Sequence, residues 1–173
     1  MALLPILQYP HPTLSAKAEP VTEFDDNLKQ LAADMLETMY DAPGVGLAAN
    51  QVNVLRRIVV VDVTEDKSGQ MVLVNPEVLE RSEELKDHEE GCLSLKGLYE
   101  HVKRPAKVRV RAQNLDGETF EFEATDILAT CVQHEIDHLD GVVFIDHLSR
   151  MKKERACTKL IKLRRKRSSE EES

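Results

Sequence analysis

The string HEIDH at residues 134–138 constrains this chain more than any other feature. It lies in a segment, residues 126–139, where the apolar pattern and Gly141 just beyond it predict a helix. His134 and His138 are four residues apart, so their rings project from the same helix face and can share one metal ion. Glu135 lies beside the first histidine, where its carboxylate reaches a water at the ion without binding the ion. The motif therefore predicts a metal site on this helix, with a chance match as the alternative.

A hydrolytic site of this kind needs a third protein ligand and one open position. Metzincin peptidases place a third histidine three residues after a glycine, but here Gly141 is followed at that spacing by Phe144, which excludes that class. A gluzincin-like glutamate is available before the tail only as Glu154, among basic residues. Cys92 is the better candidate, because Gly91 permits close backbone approach and the neighbouring residues suit a strand beside a cavity. A buried structural cysteine is the alternative that remains open.

A third motif, GVGLAANQV at residues 44–52, follows directly on a predicted helix. Its two glycines and two alanines allow the backbone to approach a ligand or another strand closely. Gln51 offers a side-chain amide that can donate a hydrogen bond to an oxyanion. The alternative is a tight helix-to-strand connection packed with small residues.

The remaining pattern predicts an α+β domain. The expected elements are helices at residues 25–41, 126–139 and 146 to about 167, strands at 56–63 and 71–76, and a hairpin of strands 107–113 and 119–124. The hairpin turns at Asp116-Gly117, a dipeptide that favours tight turns between strands. Strands followed by a central helix, with helices at both ends, indicate the α+β class.

No segment predicts export or membrane insertion. Pro5, Pro10 and Pro12 interrupt the apolar start of the chain. No run approaches the roughly 20 apolar residues of a membrane helix. The three cysteines are odd in number and widely spaced, which does not predict a disulfide framework. We therefore expect a cytoplasmic protein with free thiols and without membrane or DNA contacts.

Together, GVGLAANQ, EGCLS and HEIDH resemble the three signature motifs of the peptide deformylase family, in order and in spacing. The resemblance runs from roughly residue 4 to residue 148. It implies an α+β fold in which antiparallel strands surround the central H-E-x-x-H helix. It also implies metal-dependent hydrolysis that removes the N-terminal formyl group from the formylmethionine of nascent polypeptides and releases formate.

The resemblance assigns roles to individual residues of this chain. The implied metal ligands are Cys92, His134 and His138. Glu135 is then the general base, while Gln51 and the backbone N–H of Leu93 bind the developing oxyanion. Gly46 is expected to hydrogen-bond the substrate. The implied physiological ion is Fe(II), one per chain, with zinc, nickel or cobalt able to replace it, although the ligand types alone favour zinc.

The substrate pocket is expected to depart from the usual pattern of the family. The residues implied for the methionine pocket are Val45, Ile127 and Cys131. His88 and Thr130 stand where apolar residues are expected, although a surface position is favoured for His88. The stretch after the cysteine motif commonly carries a proline and an arginine near the substrate path, whereas here it holds Lys96, Gly97 and Tyr99.

Charge separates the chain into an acidic body and a basic C-terminal segment. The formal net charge is −8, yet residues 150–167 hold ten Lys or Arg against one Glu. We expect residues 1–149 to form the catalytic domain, and residues 150–173 to form a basic helix with a short disordered acidic tail. This helix is either a solvated face or, as in some deformylases, a contact with the ribosome.

Two other functions remain open at this point. A metallopeptidase with the same H-E-x-x-H motif and another third ligand would cleave internal peptide bonds and would not depend on Cys92. A non-catalytic, ribosome-associated member of the fold would have kept the motifs by descent. The intact Glu135, Cys92 and Gln51 argue against the second alternative.

Overall fold

Three helices and seven strands form the part of the chain that the computed structural model describes, which is the backbone of residues 3–172 and the side chains of residues 3–168. In chain order they are α1 (Asp26–Asp41), β1 (Gly46–Ala48), β2 (Ile58–Val61), β3 (Met71–Arg81), β4 (Leu85–Gly91), β5 (Tyr99–Pro105), β6 (Lys107–Gln113), β7 (Thr119–Thr125), α2 (Asp126–Leu139) and α3 (Arg150–Glu172). Short 3-10 turns occur at Pro12–Ser15, Ala49–Val52 and Phe144–His147.

The strands form two antiparallel sheets. One has five strands in the order β1-β2-β3-β6-β7, and the other consists of β4 and β5. The predicted hairpin is confirmed, because β6 and β7 pair along their whole length. Its turn contains Gly117 at a φ of +84°, a conformation that glycine adopts without steric cost.

Strand β2 is buried on both faces of the larger sheet. Val59 and Val61 pack into a core that includes α2 residues, while Ile58 and Val60 pack into a second core that includes α1 residues. A strand covered on both sides has no solvent-facing positions, which explains why its sequence is a continuous apolar run. The larger sheet therefore lies between α1 and α2.

Helix α2 contacts strands of both sheets, so the expected arrangement of antiparallel strands around this helix is confirmed. The helix ends before Gly141, whose φ is +77°. A Cβ at Gly141 would lie 2.5 Å from the Ser15 carbonyl oxygen, so this position also needs glycine for close packing. The predicted limits of α2 are those observed.

The third helix differs from its predicted limits. Residues at the expected start form the 3-10 turn, and Leu148 is extended with ψ at 160°, so α3 begins at Arg150. Its backbone is helical through Glu172, past residue 167 and into the acidic tail that the sequence led us to expect as disordered, while Ser173 lies outside the described residues. Ala156 and Leu160 of α3 pack into a core with Leu95 and Leu98.

The sequence did not predict β1 or the β4–β5 sheet. Both β4 and β5 are rich in charged residues, and they pair only with each other, so most of their side chains are exposed or half-buried. Cys92 lies immediately after β4, so its expected location within a strand is wrong by one residue. None of the helices in the described residues is both long and apolar enough to cross a membrane.

Candidate metal centre

The three predicted metal ligands come together in space. Cys92 Sγ and one ring nitrogen from each of His134 and His138 lie within 4.8 Å of one another. Cys92 Sγ is 3.3 Å from His138 Nε2, and the two imidazole centroids are 5.0 Å apart. The histidines share one face of α2 because they are four residues apart, and the turn that follows β4 brings the thiol to that face.

The donor set fits a transition-metal ion. One sulfur and two imidazole nitrogens are ligands that zinc and iron accept in proteins, and three protein ligands leave a position open for chemistry. His134 uses its Nδ1 in a 2.9 Å hydrogen bond with Glu90, which leaves the other ring nitrogen available. Burial holds the pKa of His138 well below its usual value, which keeps that ring in the neutral form that binds metals.

A buried ion-pair network supports His134 from behind. Arg104 donates to Glu90 from Nε at 2.7 Å and from Nη2 at 3.0 Å, and it also donates from Nη1 to Asp137 at 2.8 Å. Burial alone would raise the pKa of Glu90, but hydrogen bonds with His134 and Arg104 outweigh burial and hold that pKa below its usual value. Glu90 is therefore an anion that orients the His134 ring.

The sequence alone did not predict a role for Glu90 or Arg104. The only local signal was the acidic residue two positions before Cys92, and a charged residue in a charged strand reads as exposed. The network extends to His147, whose Nε2 lies 2.8 Å from Asp137 Oδ2. The side chain of His147 is 39% exposed while it contacts the network.

Glu135 is buried beside the first histidine. Glu135 is 2% exposed, and its Oε1 lies 3.8 Å from His134 Nε2. Its Oε2 has no hydrogen-bond partner among the described residues. Burial raises the pKa of Glu135 to about 7. This is a carboxyl group with one oxygen free to meet a water or a substrate.

Gln51 points its amide nitrogen toward the thiol. The Ala48 N–H donates to Gln51 Oε1 at 2.9 Å, which fixes the orientation of the amide. Gln51 Nε2 donates to Ser94 Oγ at 3.1 Å and lies 3.5 Å from Cys92 Sγ. The amide is therefore a fixed donor at the edge of the candidate metal centre, next to the backbone of Leu93.

A cavity of about 950 Å³ opens over this centre. Predicted site residues that line it are Val45, Gly46, Gln51, Cys92, Leu93, Ile127, Cys131, His134 and Glu135. The predicted site residue His138 does not line the cavity. It is fully buried and contacts Cys92. A Cβ at Gly46 would lie 2.9 Å from both Cys131 Sγ and Glu135 Cγ, so this strand passes very close to α2.

The residues that depart from the family pattern lie around this cavity. Lys96, Gly97 and Tyr99 line it, and Tyr99 is 57% exposed with its ring against Gly91. The half-buried His88 places Nδ1 2.8 Å from Oγ1 of Thr130, which also lines the cavity. His88 is therefore partly exposed, and its ring contacts a side chain of α2.

Comparison with known proteins agrees with this geometry. The family model described as polypeptide deformylase matches residues 3–154. A peptide deformylase of Cellvibrio japonicus is 54% identical over 94% of this chain and 96% of that protein. One of Pseudomonas aeruginosa is 51% identical over 97% of this chain and 100% of that protein.

A solved structure gives the same result at the level of the fold. The crystal structure of a peptide deformylase from Legionella pneumophila matches with a TM-score of 0.91 and 45% identity, covering 96% of this chain and 98% of that one. Sequence and fold thus agree over nearly the whole length of each protein. The chain therefore belongs to the polypeptide deformylase family, whose members are metal-dependent hydrolases that remove an N-formyl group.

Proposed function

We propose that the cavity hydrolyses the formamide bond of an N-terminal formylmethionine, releasing formate and a free amino terminus. The observation that carries the proposal is the meeting of Cys92, His134 and His138 within 4.8 Å, at a cavity that Glu135 also lines. Three metal-binding side chains beside an acidic side chain, at a cavity that a substrate can enter, suit the hydrolysis of an unhindered amide.

Cys92, His134 and His138 would hold the ion. When bound, it would polarise the formyl carbonyl and lower the pKa of a water toward neutrality. Thiolate and imidazole donors suit both iron and zinc, and the assignment of Fe(II), with zinc, nickel or cobalt as substitutes, follows the family resemblance. Glu90 would keep His134 oriented toward the ion.

Glu135 would move the proton. Its Oε2 has no partner among the described residues, so it is free to accept a proton from the attacking water. The same carboxyl group then delivers that proton to the amine nitrogen as the bond between the formyl carbon and this nitrogen breaks. One residue therefore serves as base and then as acid, and no net proton remains on the protein.

Gln51 and the Leu93 N–H would stabilise the negative charge that develops on the formyl oxygen. The Ala48 N–H and the Ser94 hydroxyl orient the Gln51 amide before the substrate arrives. Donors fixed in advance stabilise a developing charge without reorganisation, and losing one typically costs roughly 10² to 10³ in rate.

The substrate would enter as an extended peptide beside β1. Gly46 lines the cavity, and its backbone would hydrogen-bond the peptide, while the methionine side chain would contact the apolar groups of Val45, Ile127 and Cys131. The first two of these residues are 52% and 61% exposed, so the pocket they form is open to a side chain from outside.

Formate release from formyl-Met-Ala-Ser tests this function. Anaerobically purified protein loaded with Fe(II) or Ni(II) should release formate and intact Met-Ala-Ser, and Cys92→Ser should lose both the ion and the activity. Cleavage of the peptide bonds between the amino acids, retained in Cys92→Ser, would instead identify a metallopeptidase. An inert protein that still binds the ion would support the non-catalytic alternative.

We also propose that the protein acts in the cytoplasm on nascent chains and that α3 contacts ribosomal RNA. The support is the density of positive charge, with ten Lys or Arg in residues 150–167. Deleting this helix would remove the buried Ala156 and Leu160, so charge substitutions are the cleaner test. Glutamine at the exposed Lys162, Arg165 and Lys166 should reduce co-sedimentation with ribosomes at low salt.

The matched control removes the same charge elsewhere. Its substitutions are glutamine at the exposed Lys17, Lys29 and Lys67. If both triple variants co-sediment as the wild type does, the ribosome contact is refuted. If both lose binding equally, the attraction is general and not a property of α3.

A further inference from the structure

The N-terminal segment formed by residues 7–9, here called the clamp segment, contacts both parts of the chain that carry the proposed oxyanion donors. Its hydrogen bonds run from the Leu7 N–H to the Gln51 carbonyl at 2.7 Å, from Gln8 Nε2 to the Leu93 carbonyl at 2.8 Å, and from the Tyr9 N–H to the Ser94 carbonyl at 2.8 Å. The two donors are far apart in sequence, so a shared partner fixes their relative position.

Leu93 lies within a tight turn that the clamp segment contacts. The Leu95 N–H donates to the Cys92 carbonyl at 3.0 Å, which closes a turn with Leu93 and Ser94 at its centre. The central peptide of a β-turn is the one whose orientation distinguishes the common turn types. Gln8 binds the carbonyl oxygen of this peptide, and it is the side chain through which the clamp segment does so.

The environment of Gln8 indicates a role beyond stability. Its Oε1 is buried and has no hydrogen-bond partner among the described residues, and Gln8 also lines the cavity. A buried polar atom without a partner destabilises the folded state. A methionine of similar length would avoid that cost, so the hydrogen bond from Nε2 to Leu93 is the feature that a glutamine provides here.

We propose that Gln8 is a positioning residue. By holding the Leu93 carbonyl it fixes the turn at Leu93, and with it the preceding peptide that carries the Leu93 N–H, relative to Gln51, and so sets the spacing of the two oxyanion donors. The inference rests on the proposed function, which assigns those donors. If a group that stabilises the transition state is displaced by about 1 Å, the rate can fall on the order of 10²-fold. The pocket for the methionine side chain does not include Gln8, so substrate binding should be preserved.

Three variants of the metal-loaded protein test the proposal. Gln8→Met keeps the size and removes the donor, whereas Gln8→His offers a ring N–H at a similar reach. Gln113→Met is the matched control, because Gln113 Nε2 also donates to a backbone carbonyl, that of Gly117 at 3.1 Å, but at the β6–β7 hairpin. If Gln8→Met does not fold, Gln8→Glu replaces it, since a carboxylate has the same shape and no N–H.

The expected result is a fall in kcat of about 10- to 100-fold in Gln8→Met, with KM and bound metal within about twofold of wild type. Gln8→His should retain most of the activity, and Gln113→Met should retain all of it. A kcat for Gln8→Met within about twofold of wild type would overturn the proposal, as would an equal loss in Gln113→Met.

Hydrogen exchange gives a readout that does not depend on turnover. The Leu7 and Tyr9 amides, which donate from the clamp segment to the Gln51 and Ser94 carbonyls, should exchange faster in Gln8→Met than in wild type, while exchange in the β6–β7 hairpin stays the same. If the wild type released no formate, the proposed function would fail. Unchanged exchange at Leu7 and Tyr9 would then refute the clamp, and faster exchange would support it.

Discussion

Arg104 binds the Glu90 carboxylate through two hydrogen bonds, at 2.7 and 3.0 Å, and both side chains are almost fully buried, at 6% and 3% exposure. The same carboxylate lies 2.9 Å from Nδ1 of His134. Removing a buried pair of charges from water is costly, and an apolar pair of similar size would stabilise the fold about as well. Its position behind a candidate metal ligand gives it a function, which is to hold that ligand in place.

Removing the cation of this pair should destabilise the protein. In Arg104→Leu the Glu90 carboxylate stays buried without its bidentate partner, so the free energy of unfolding should fall by about 3–5 kcal/mol. Arg109→Leu is the control, because its pair with Glu121 is exposed at 41% on each side and is worth about 0–1 kcal/mol. Urea denaturation measures both. Equal losses in the two variants would show that the buried pair has no special role.

Removing the charge of Glu90 should lower the affinity for the metal ion more than it lowers the stability of the folded protein. In Glu90→Gln the amide keeps the shape, but the His134 ring loses its anionic partner, so affinity for the ion should fall about 10- to 100-fold. Competition with a chelator measures the affinity. The neighbouring Glu89→Gln, at an exposed position, should bind the ion as the wild type does, and a wild-type affinity in Glu90→Gln would contradict the supporting role.

The Tyr40–Asp62 contact predicts a pH dependence of stability at high pH. Tyr40 donates to Asp62 Oδ2 at 2.7 Å, and burial together with this bond raises the pKa of Tyr40 to about 12, above its ordinary value of 10.0. The folded state therefore holds this proton more tightly than the unfolded state. The resulting stabilisation is complete below about pH 10 and is lost as the pH rises toward 12.

Tyr40→Phe isolates that effect at high pH, because it removes the ionising group. It also removes one of the hydrogen bonds that lower the pKa of Asp62, but that carboxyl group titrates at acid pH. The difference in the free energy of unfolding between wild type and Tyr40→Phe should be constant from about pH 7 to 9 and should shrink between about pH 10 and 12. Denaturation series at several pH values measure it. A difference that stays constant to the highest pH would refute the raised pKa.

A methyl group at Gly46 should impair catalysis. In Gly46→Ala the new Cβ would lie 2.9 Å from both Cys131 Sγ and Glu135 Cγ, so the strand or the carboxylate must shift. We expect kcat to fall by about 10²-fold. Val45→Ala removes only an exposed contact with the substrate, so it should raise KM with little change in kcat. If steady-state kinetics instead show a raised KM in Gly46→Ala and a lowered kcat in Val45→Ala, the two residues have other roles.

Local signals in the sequence predicted the first helix, the β6–β7 hairpin and the H-E-x-x-H helix. Asp25 was identified as the start of the first helix, and in the structure its side chain caps α1 by accepting from the Leu28 N–H. The Asp116-Gly117 turn and the H-E-x-x-H helix are equally local patterns. Each of these features depends on neighbours within a few residues, which a single sequence displays directly.

The features that the sequence did not predict depend on contacts between distant segments. The β4–β5 sheet has few buried positions, so its sequence lacks the alternation that identifies a half-buried strand. Arg104 is a buried charge in a strand whose sequence indicates exposure, and its tertiary contacts with Glu90 and Asp137 explain its burial. Two of the three contacts of the clamp segment come from backbone groups at Leu7 and Tyr9, which carry no side-chain signal.

The role of Glu135 is tested by measuring bound metal and formate release on the same samples of wild type and Glu135→Gln. We expect both proteins to hold one ion, because Glu135 is not among the three candidate ligands, and formate release to fall by at least about 10²-fold in the variant. A Glu135→Gln protein that holds its ion and still releases formate at the wild-type rate would show that Glu135 does not move the proton.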